Sequence, residues 1–413
     1  MSPDQRRPSD ATRRRLLSSS AAALAGSLST AGCLSALPPL GEQQRYGRLG
    51  VPSAGPPAYR KWLPAPSVVE SPDEAYHFVA MEPTASRPEA PGKFVAGRAR
   101  LKASLDHFGI GFENYDRLVS GTFGTAIDAS FDREDVVQTI TASGYERTDT
   151  YREFTRFTRS DPPRRVAVGD GALVWTSAYH HDAPNLEALV DAGTGHRPRY
   201  HDTDKAFETL TTAAGGNPYL GVNTAIHDPT GAPAMLAEAI RFDDDTAYQV
   251  VQYYYHDPDR VPNARTLERA LTKDDYRFVD GAHAVDVAVD GRLATVETQV
   301  PLMSARTVPA EYQLPQVTWG VETDDAGRVT FSHDAGESVP ADRLFYDVDY
   351  PDAPGRIDKR RLWTGASTVT TGMEATVDLT DDSEATGVSL VYSTGGVGFH
   401  VLVGTGLRGE ADE

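Results

Sequence analysis

Val166-Ala167-Val168-Gly169-Asp170-Gly171-Ala172-Leu173-Val174-Trp175 decides the fold class. Two apolar runs flank an Asp-Gly pair, and Asp-Gly supplies the left-handed turn that joins antiparallel strands. That turn sets Val168 opposite Leu173 and Val166 opposite Trp175, with side chains on alternating faces. A second stretch, Val285-Asp286-Val287-Ala288-Val289-Asp290-Gly291-Arg292-Leu293, repeats the chemistry. Helix patterns lie between and around these hairpins, without the β-α-β alternation of a parallel sheet. The expected class is therefore α+β: antiparallel-sheet modules with helices on one face.

Outward from the first hairpin, Asp132 is placed to cap a helix whose Val136, Val137 and Ile140 share a face, and Gly144 to end it. Tyr151 to Phe157 reads as a strand. A helix is expected around Asn185 to Val190, and another from Asp204 to Ala214, with Phe207 and Leu210 on one side and Gly215 as its stop. Tyr219 to Ala225 reads as a closing strand. Upstream, Trp62-Leu63-Pro64 leads into a first strand at Tyr76-His77-Phe78-Val79, and the Pro-rich residues 83–98 read as a loop. Downstream, Ala237 to Phe242 and Tyr248 to Tyr255 form a hairpin around Asp243-Asp244-Asp245, followed by a helix from Asn263 to Lys273. These patterns divide the body into an α+β module over 59–232 and a second, smaller, related one over 233–310.

From Val317 to about Gly404 helix periodicity stops. Thr318 to Glu322, Arg328 to Ser332, Leu344 to Val348, Met373 to Leu379, Gly387 to Tyr392 and Phe399 to Val403 alternate between turn residues, which predicts a C-terminal β-sandwich over 317–404. Residues 405–413 read as an acidic tail. Gly404-x-Gly406-x-x-Gly409 fits the dinucleotide fingerprint as a string but has no helix to follow it.

The N-terminus carries an address. Thr12-Arg13-Arg14-Arg15-Leu16-Leu17 opens a short, mildly apolar run that closes at Thr30-Ala31-Gly32-Cys33. A charged head, a weakly hydrophobic middle and small residues before a cut site make a secretory signal. Arg13 and Arg14 match the twin-arginine pattern, and such signals resemble those of the route that exports folded proteins. Thr30 to Cys33 resembles the lipobox of lipoproteins, with Thr30 where Leu is commonest. Cys33 is the only Cys in 413 residues, so no internal disulfide is available to this chain. The expectation is a signal over 1–32, lipid on Cys33, and a Pro- and Gly-rich tether over 33–58 reaching roughly 25–30 Å at ~5–6 Å × √n.

Composition fits that setting. The chain holds 38 Asp and 21 Glu against 34 Arg and 6 Lys. Residues 1–32 contain five Arg and two Asp, so their removal takes the formal charge from −19 to −22. Such a surface resembles those of extreme halophiles. At ~1 M salt the Debye length is only ~3 Å, so crowded carboxylates repel weakly, while high charge maintains solubility. The same charge makes nucleic acid a poor partner.

Two resemblances follow from particular residues. Val329-Thr330-Phe331-Ser332-His333-Asp334-Ala335-Gly336-Glu337 through Leu344, with Trp363, Thr371-Gly372 and Val388 to Tyr392, resembles the β-domain of archaeal pilin-like surface proteins. That family has Gly-Gly-Asp where this chain has Ala335-Gly336-Glu337, and a long apolar N-terminal helix that this chain replaces with its signal. The resemblance implies a fold and a cell-surface setting, not a filament subunit. The region from Trp62-Leu63-Pro64 to Gly215 is similar to a haloarchaeal family of exported lipoproteins of unassigned activity.

Chemistry is sparse. His180, His181, Asp182, His196, His201 and Asp202 are the best metal candidates, since imidazoles and carboxylates suit zinc or another transition metal. Their spacing matches no defined site, and solvated loop histidines are the competing explanation. Asp243-Asp244-Asp245 could hold calcium or potassium, or be a solvated turn. His333 is expected to serve hydrogen bonding at a strand end, and Tyr253-Tyr254-Tyr255 to be a strand with two packed faces. G-x-S-x-G, H-E-x-x-H, the phosphate-binding loop and a catalytic Cys are absent from the sequence. None of its five Asn sits in an Asn-x-Ser/Thr context. No cofactor and no catalytic residue is assigned. The leading expectation is a non-catalytic lipoprotein on the outer face of the membrane, binding or scaffolding an envelope partner. A solute-binding lipoprotein of a transporter and a metal-dependent hydrolase are the alternatives.

Overall fold

Strands from residues 77 to 300 join into one antiparallel sheet of twelve. In chain order they are β1 His77–Met81, β2 Tyr115–Gly121, β3 Gly124–Ala129, β4 Glu146–Tyr151, β5 Phe154–Ser160, β6 Pro163–Gly169, β7 Ala172–Ser177, β8 Tyr219–Asn223, β9 Met235–Phe242, β10 Ala247–Tyr254, β11 His283–Asp290 and β12 Leu293–Val300. Their order across the sheet is β11-β12-β10-β9-β8-β1-β2-β3-β7-β6-β5-β4. The computed structural model describes residues 49–69, 76–85, 87, 89–177, 185–225, 233–271, 281–303, 313–351, 360–395 and 398–407.

The Asp-Gly hairpin has the register its turn dictates: Val166 pairs with Trp175 and Val168 with Leu173. The second hairpin turns one residue later than an Asp-Gly turn would, pairing Asp290 with Leu293 across Gly291-Arg292. The two patterns nevertheless share one sheet. The expected boundary at 232/233 falls inside it, because β8 pairs with β9 from Tyr219↔Ile240 to Asn223↔Leu236. Nor does β8 close anything; it lies between β9 and β1.

Among the described residues, six α-helices cover both faces of the sheet, where one covered face was expected. They are α1 Gly92–Ser104, α2 Arg133–Ala142, α3 Leu186–Thr194, α4 Tyr200–Thr203, α5 Lys205–Ala214 and α6 Ala264–Leu271. On one face Leu189, Val190, Tyr200, Phe207 and Leu210 of α3–α5 pack over Phe78, Val119, Val174 and Leu220. On the other, α2 brings Val136 and Ile140 onto Val166, Val168, Leu173 and Trp175. There too α1 sets Phe94 against Ile240 and Val300, and α6 sets Leu267 against Val251 and Val296. A doubly covered sheet buries consecutive residues, and every residue of β7 is buried. Within α3, Gly193 touches Trp62 so closely that a Cβ there would lie 2.0 Å from the indole.

The caps behave as their residues dictate. Asp132 accepts from the Glu134 N–H at the start of α2, and Asp204 accepts from the Phe207 N–H at the start of α5. Three local expectations change. Residues 92–104 form α1, not a loop: Phe94, Val95, Ala99 and Ala103 are its buried stripe, and Pro91 stands at its N-cap, where proline does no harm. The strand expected over Tyr151–Phe157 is two strands, β4 and β5, reversed at Arg152 and Glu153, which take φ of 50° and 72°. Finally, the chain joins the body earlier than residue 59. Gly55 and Gly216 exchange backbone hydrogen bonds of 3.0 and 2.7 Å, so residues 49–58 are not free tether.

The C-terminal strands are β13 Val317–Thr323, β14 Arg328–Gly336, β15 Val339–Pro340, β16 Leu344–Asp349, β17 Arg360–Arg361, β18 Thr368–Val369, β19 Glu374–Asp378, β20 Gly387–Gly395 and β21 Gly398–Gly406. They form sheets β13-β14-β19, β17-β16-β20-β21 and β15-β18, whose buried residues include Trp319, Phe331, Val348, Val388, Leu390 and Val403 in one core. Gly404 and Gly406 lie inside β21, so the strand extends into the expected tail.

Candidate functional site

Arg13, Arg14, Cys33, His180, His181 and Asp182 lie outside the described residues. His196 and His201 have separate partners: His196 Nδ1 is 2.9 Å from Thr194 Oγ1, and His201 Nε2 is 3.4 Å from Asp202 Oδ1. Burial lowers the His201 pKa against the opposing pull of Asp202. No group of three or more His, Cys, Asp or Glu that could hold a metal occurs among the described residues. The Asp243–Asp245 segment is a hairpin turn in which the Asp245 N–H donates to Asp243 Oδ1 at 3.3 Å and the Tyr248 hydroxyl to Asp243 Oδ2 at 3.2 Å. Tyr254 faces one core while Tyr253 and Tyr255 face another, as a strand with two packed faces requires. His333 is fully buried against Trp319, and its Nε2 lies 2.8 Å from the Glu337 carbonyl.

Two polar constellations stand out instead. The first is buried at the junction between the β5–β7 end of the large sheet and β13–β14. Arg164 donates to Asp106 at 2.7 Å and to the Trp319 carbonyl at 3.0 Å. The Tyr145 hydroxyl donates to the other Asp106 oxygen and accepts from Trp175 Nε1 at 3.1 Å. Arg159 grips Asp161 through Nε and Nη2, at 2.6 and 2.7 Å, and reaches Asp334 of β14 at 2.5 Å. Burial by itself would lower the Arg159 pKa; the Asp161 hydrogen bonds and the charge of Asp334 more than offset it and hold it raised. Asp106 and Arg164 are 5% and 4% exposed, so this pair has lost nearly all its water. Gln316 adds bonds to the Asp106 carbonyl and the Tyr115 hydroxyl, both 2.9 Å. The Arg164 Nε and Trp319 Nε1 donors border a void of about 20 Å³, roughly what one water occupies. Charges satisfied in this way fix two layers together and leave little to offer a substrate.

The second constellation is an open cleft of about 250 Å³ beside the point where the chain enters the body. Pro52–Ala54 form one wall, Gly216–Pro218 another, and Arg87, Arg241 and Phe242 complete it, with no acidic residue among the ten that line it. Arg241 leaves β9 with its guanidinium held, among the described residues, by neutral oxygens. Its Nε donates to Asn217 Oδ1 at 2.8 Å, Nη1 to the Pro52 carbonyl at 3.2 Å and Nη2 to the Ala214 carbonyl at 3.1 Å. Asn217 is itself fixed, donating to the carbonyls of Ala214 and Gly215. Burial lowers the Arg241 pKa, opposed only by the charge of Glu297. Arg87 donates to the Asp244 carbonyl at 3.0 Å, with its guanidinium 5.3 Å over the Phe242 ring. Sequence reasoning missed this cleft. The available signal was cross-strand: Arg241 faces Tyr248, not an acid, in a hairpin of an acid-rich chain.

No protein-family model and no curated protein matches the chain. Among solved structures it is similar to crystal forms III and I of the protein TP0453, each at 11% identity. The TM-scores are 0.33 and 0.35, with 58% of this chain and 94% and 93% of the other covered.

Proposed function

We propose that this chain is a membrane-anchored lipoprotein of the outer membrane face that acts by binding or scaffolding and carries no catalytic centre. One observation carries the reading: a twin-arginine signal ends at the chain's only cysteine, Cys33, in a lipobox-like sequence. The geometry supports it in two ways. Gly55, which exchanges backbone hydrogen bonds with Gly216 of the body, lies twenty-two residues after Cys33, about 75 Å at full extension. Among the described residues, the two polar clusters of the body are a carboxylate-paired junction and a cationic cleft. In this reading the C-terminal region is a β-sandwich, its three- and four-stranded sheets facing each other across their common core, and the acid-rich surface is an adaptation to molar salt.

The test is Cys33→Ser. Loss of lipid on the mature N-terminus, read by mass spectrometry, and a shift of the protein into the medium are expected. Membrane retention equal to wild type overturns the anchor. Replacing Arg13 and Arg14 by Lys is expected to block export, and normal export rejects the twin-arginine route. The transporter-lipoprotein reading is less favoured because two parallel α/β lobes are its usual frame, and every described strand pair of the large sheet is antiparallel.

A further inference from the structure

We propose that the cleft between Arg87 and Arg241 is a binding site for a phosphoryl oxyanion, carried either by free phosphate or by a phosphomonoester headgroup at the membrane. The argument begins with donor accounting. A guanidinium has five N–H donors. Arg241 uses three, one on each nitrogen, and all go to neutral oxygens. One N–H therefore remains on each of its two terminal nitrogens, in the forked arrangement that matches a phosphate edge. Among the described residues, Arg87 uses one donor. Neither arginine makes an ion pair among the described residues, in a chain whose formal charge is −19.

Burial makes that unpaired state costly. A partly desolvated cation whose hydrogen bonds go to neutral oxygens loses hydration that these, and the charge of Glu297, restore only in part. Arg241 accepts this cost while Asn217, Ala214 and Pro52 hold its plane rigid, which is how a preorganised anion site is built. The cleft of about 250 Å³ has room for a phosphoryl group, several times the ~30 Å³ share of one water. A tetrahedral oxyanion has enough terminal oxygens to meet two forks at once, which a chloride ion lacks. The acidic turn Asp243–Asp245 touches Arg87 through the Asp244 carbonyl. Its carboxylates therefore act on the site as a long-range opposing field and not as its ligands. The inference is independent of whether Cys33 carries lipid.

The experiment is calorimetric titration of inorganic phosphate into the full-length Cys33→Ser chain, with acetate at equal ionic strength as the control. Saturable phosphate binding that exceeds acetate binding is expected. Arg87→Gln, which touches no backbone of the N-terminal segment, should weaken it about tenfold or more, since a hydrogen bond to a charged group is worth at least that factor. Asp244→Asn should tighten it. Phosphate bound no better than acetate, or equally by the Arg87→Gln variant, overturns the proposal. A second arm separates the sources. The same chain is floated with vesicles of phosphatidylcholine containing phosphatidic acid, or of phosphatidylcholine alone. Retention on the former that Arg87→Gln abolishes assigns the headgroup; phosphate binding without retention assigns the free ion. Retention that survives Arg87→Gln, with no phosphate binding, overturns it.

Discussion

Arg164 and Arg241 are the same side chain in opposite company. At the sheet junction Arg164 is buried with Asp106 at 2.7 Å, and its neighbour Arg159 holds two carboxylates. In the cleft, Arg241 is also partly buried, yet it meets only carbonyl and amide oxygens. A charge removed from water needs compensation. Where the chain supplies a carboxylate, the pair becomes a fixed part of the architecture, and removing either partner strands the other. Where its hydrogen-bond partners are neutral oxygens, the cation is held in place with donors to spare. The contrast separates charge that holds the fold from charge that can receive a ligand.

The largest test of that contrast is Asp106→Ala, which leaves the buried Arg164 with Asp161, 3.9 Å away, in place of a hydrogen-bonded carboxylate. It is expected to cost ~3–5 kcal/mol in denaturant unfolding at the salt concentration where the chain is folded; a loss below ~1 kcal/mol would place the junction pair with ordinary surface bridges. Arg159→Met comes next, at ~1.5–3 kcal/mol, because charge-assisted bonds to Asp161 and Asp334 go together. Hydrogen exchange should then quicken in β14 before the β9–β12 strands; uniform change would show that Arg159 does not couple the layers. Third is acid. His107, whose backbone N–H donates to Thr318 at 2.9 Å, sits at the junction, and burial lowers its pKa, partly opposed by Glu337. The unfolded chain takes up this proton first, so the His107 contribution is complete above its ordinary pKa of 6.5 and is lost as pH falls through its lowered folded value. The pH profile of His107→Gln should be flatter than wild type between pH 7 and 5, and parallel profiles would remove His107 from the account. The smallest effect belongs to the cleft: Arg87→Gln should leave stability within ~0.5 kcal/mol of wild type. A larger loss would make Arg87 structural, erasing the difference between the two regions.

What could be read from the sequence was local. Asp170-Gly171 fixed a turn type, and the turn fixed Val166 opposite Trp175. Asp132 and Asp204 announced helix starts because their side chains have a single use there. The hairpin at Arg152-Glu153 gave no such signal, since neither residue advertises positive φ. Helix α1 was masked because much of its buried stripe is alanine, behind a proline-rich lead. The continuity of the sheet across 232/233 rests on β8 meeting β9, and the insertion of β1 beside β8 is a pairing with no short-range signature. The cleft is assembled from Pro52, Arg87, Asn217 and Arg241, four positions with no spacing in common. For the described part of the histidine cluster, proximity in sequence did not become a shared centre: His196 bonds to Thr194, and His201 lies beside Asp202.

The position of β1 has a consequence for how the molecule assembles. Its five residues are the first strand of the sheet to be synthesised, and they lie near its middle, held by β2 on one side and by β8 on the other. The β8 seam joins residues about 140 apart, so it closes a long loop, and the entropy of closure favours the short hairpins on either side forming first. The β9–β12 strands and the β2–β7 strands can each order from nearby contacts, with the five-rung seam from His77↔Asn223 to Met81↔Tyr219 sealing them into one sheet afterwards. Pulse-labelled amides of β1 and β8 should gain protection last. Until the ribosome has released residue 223, the centre of the sheet has only one of its two neighbours, so the body reaches its native state as a whole chain and not strand by strand.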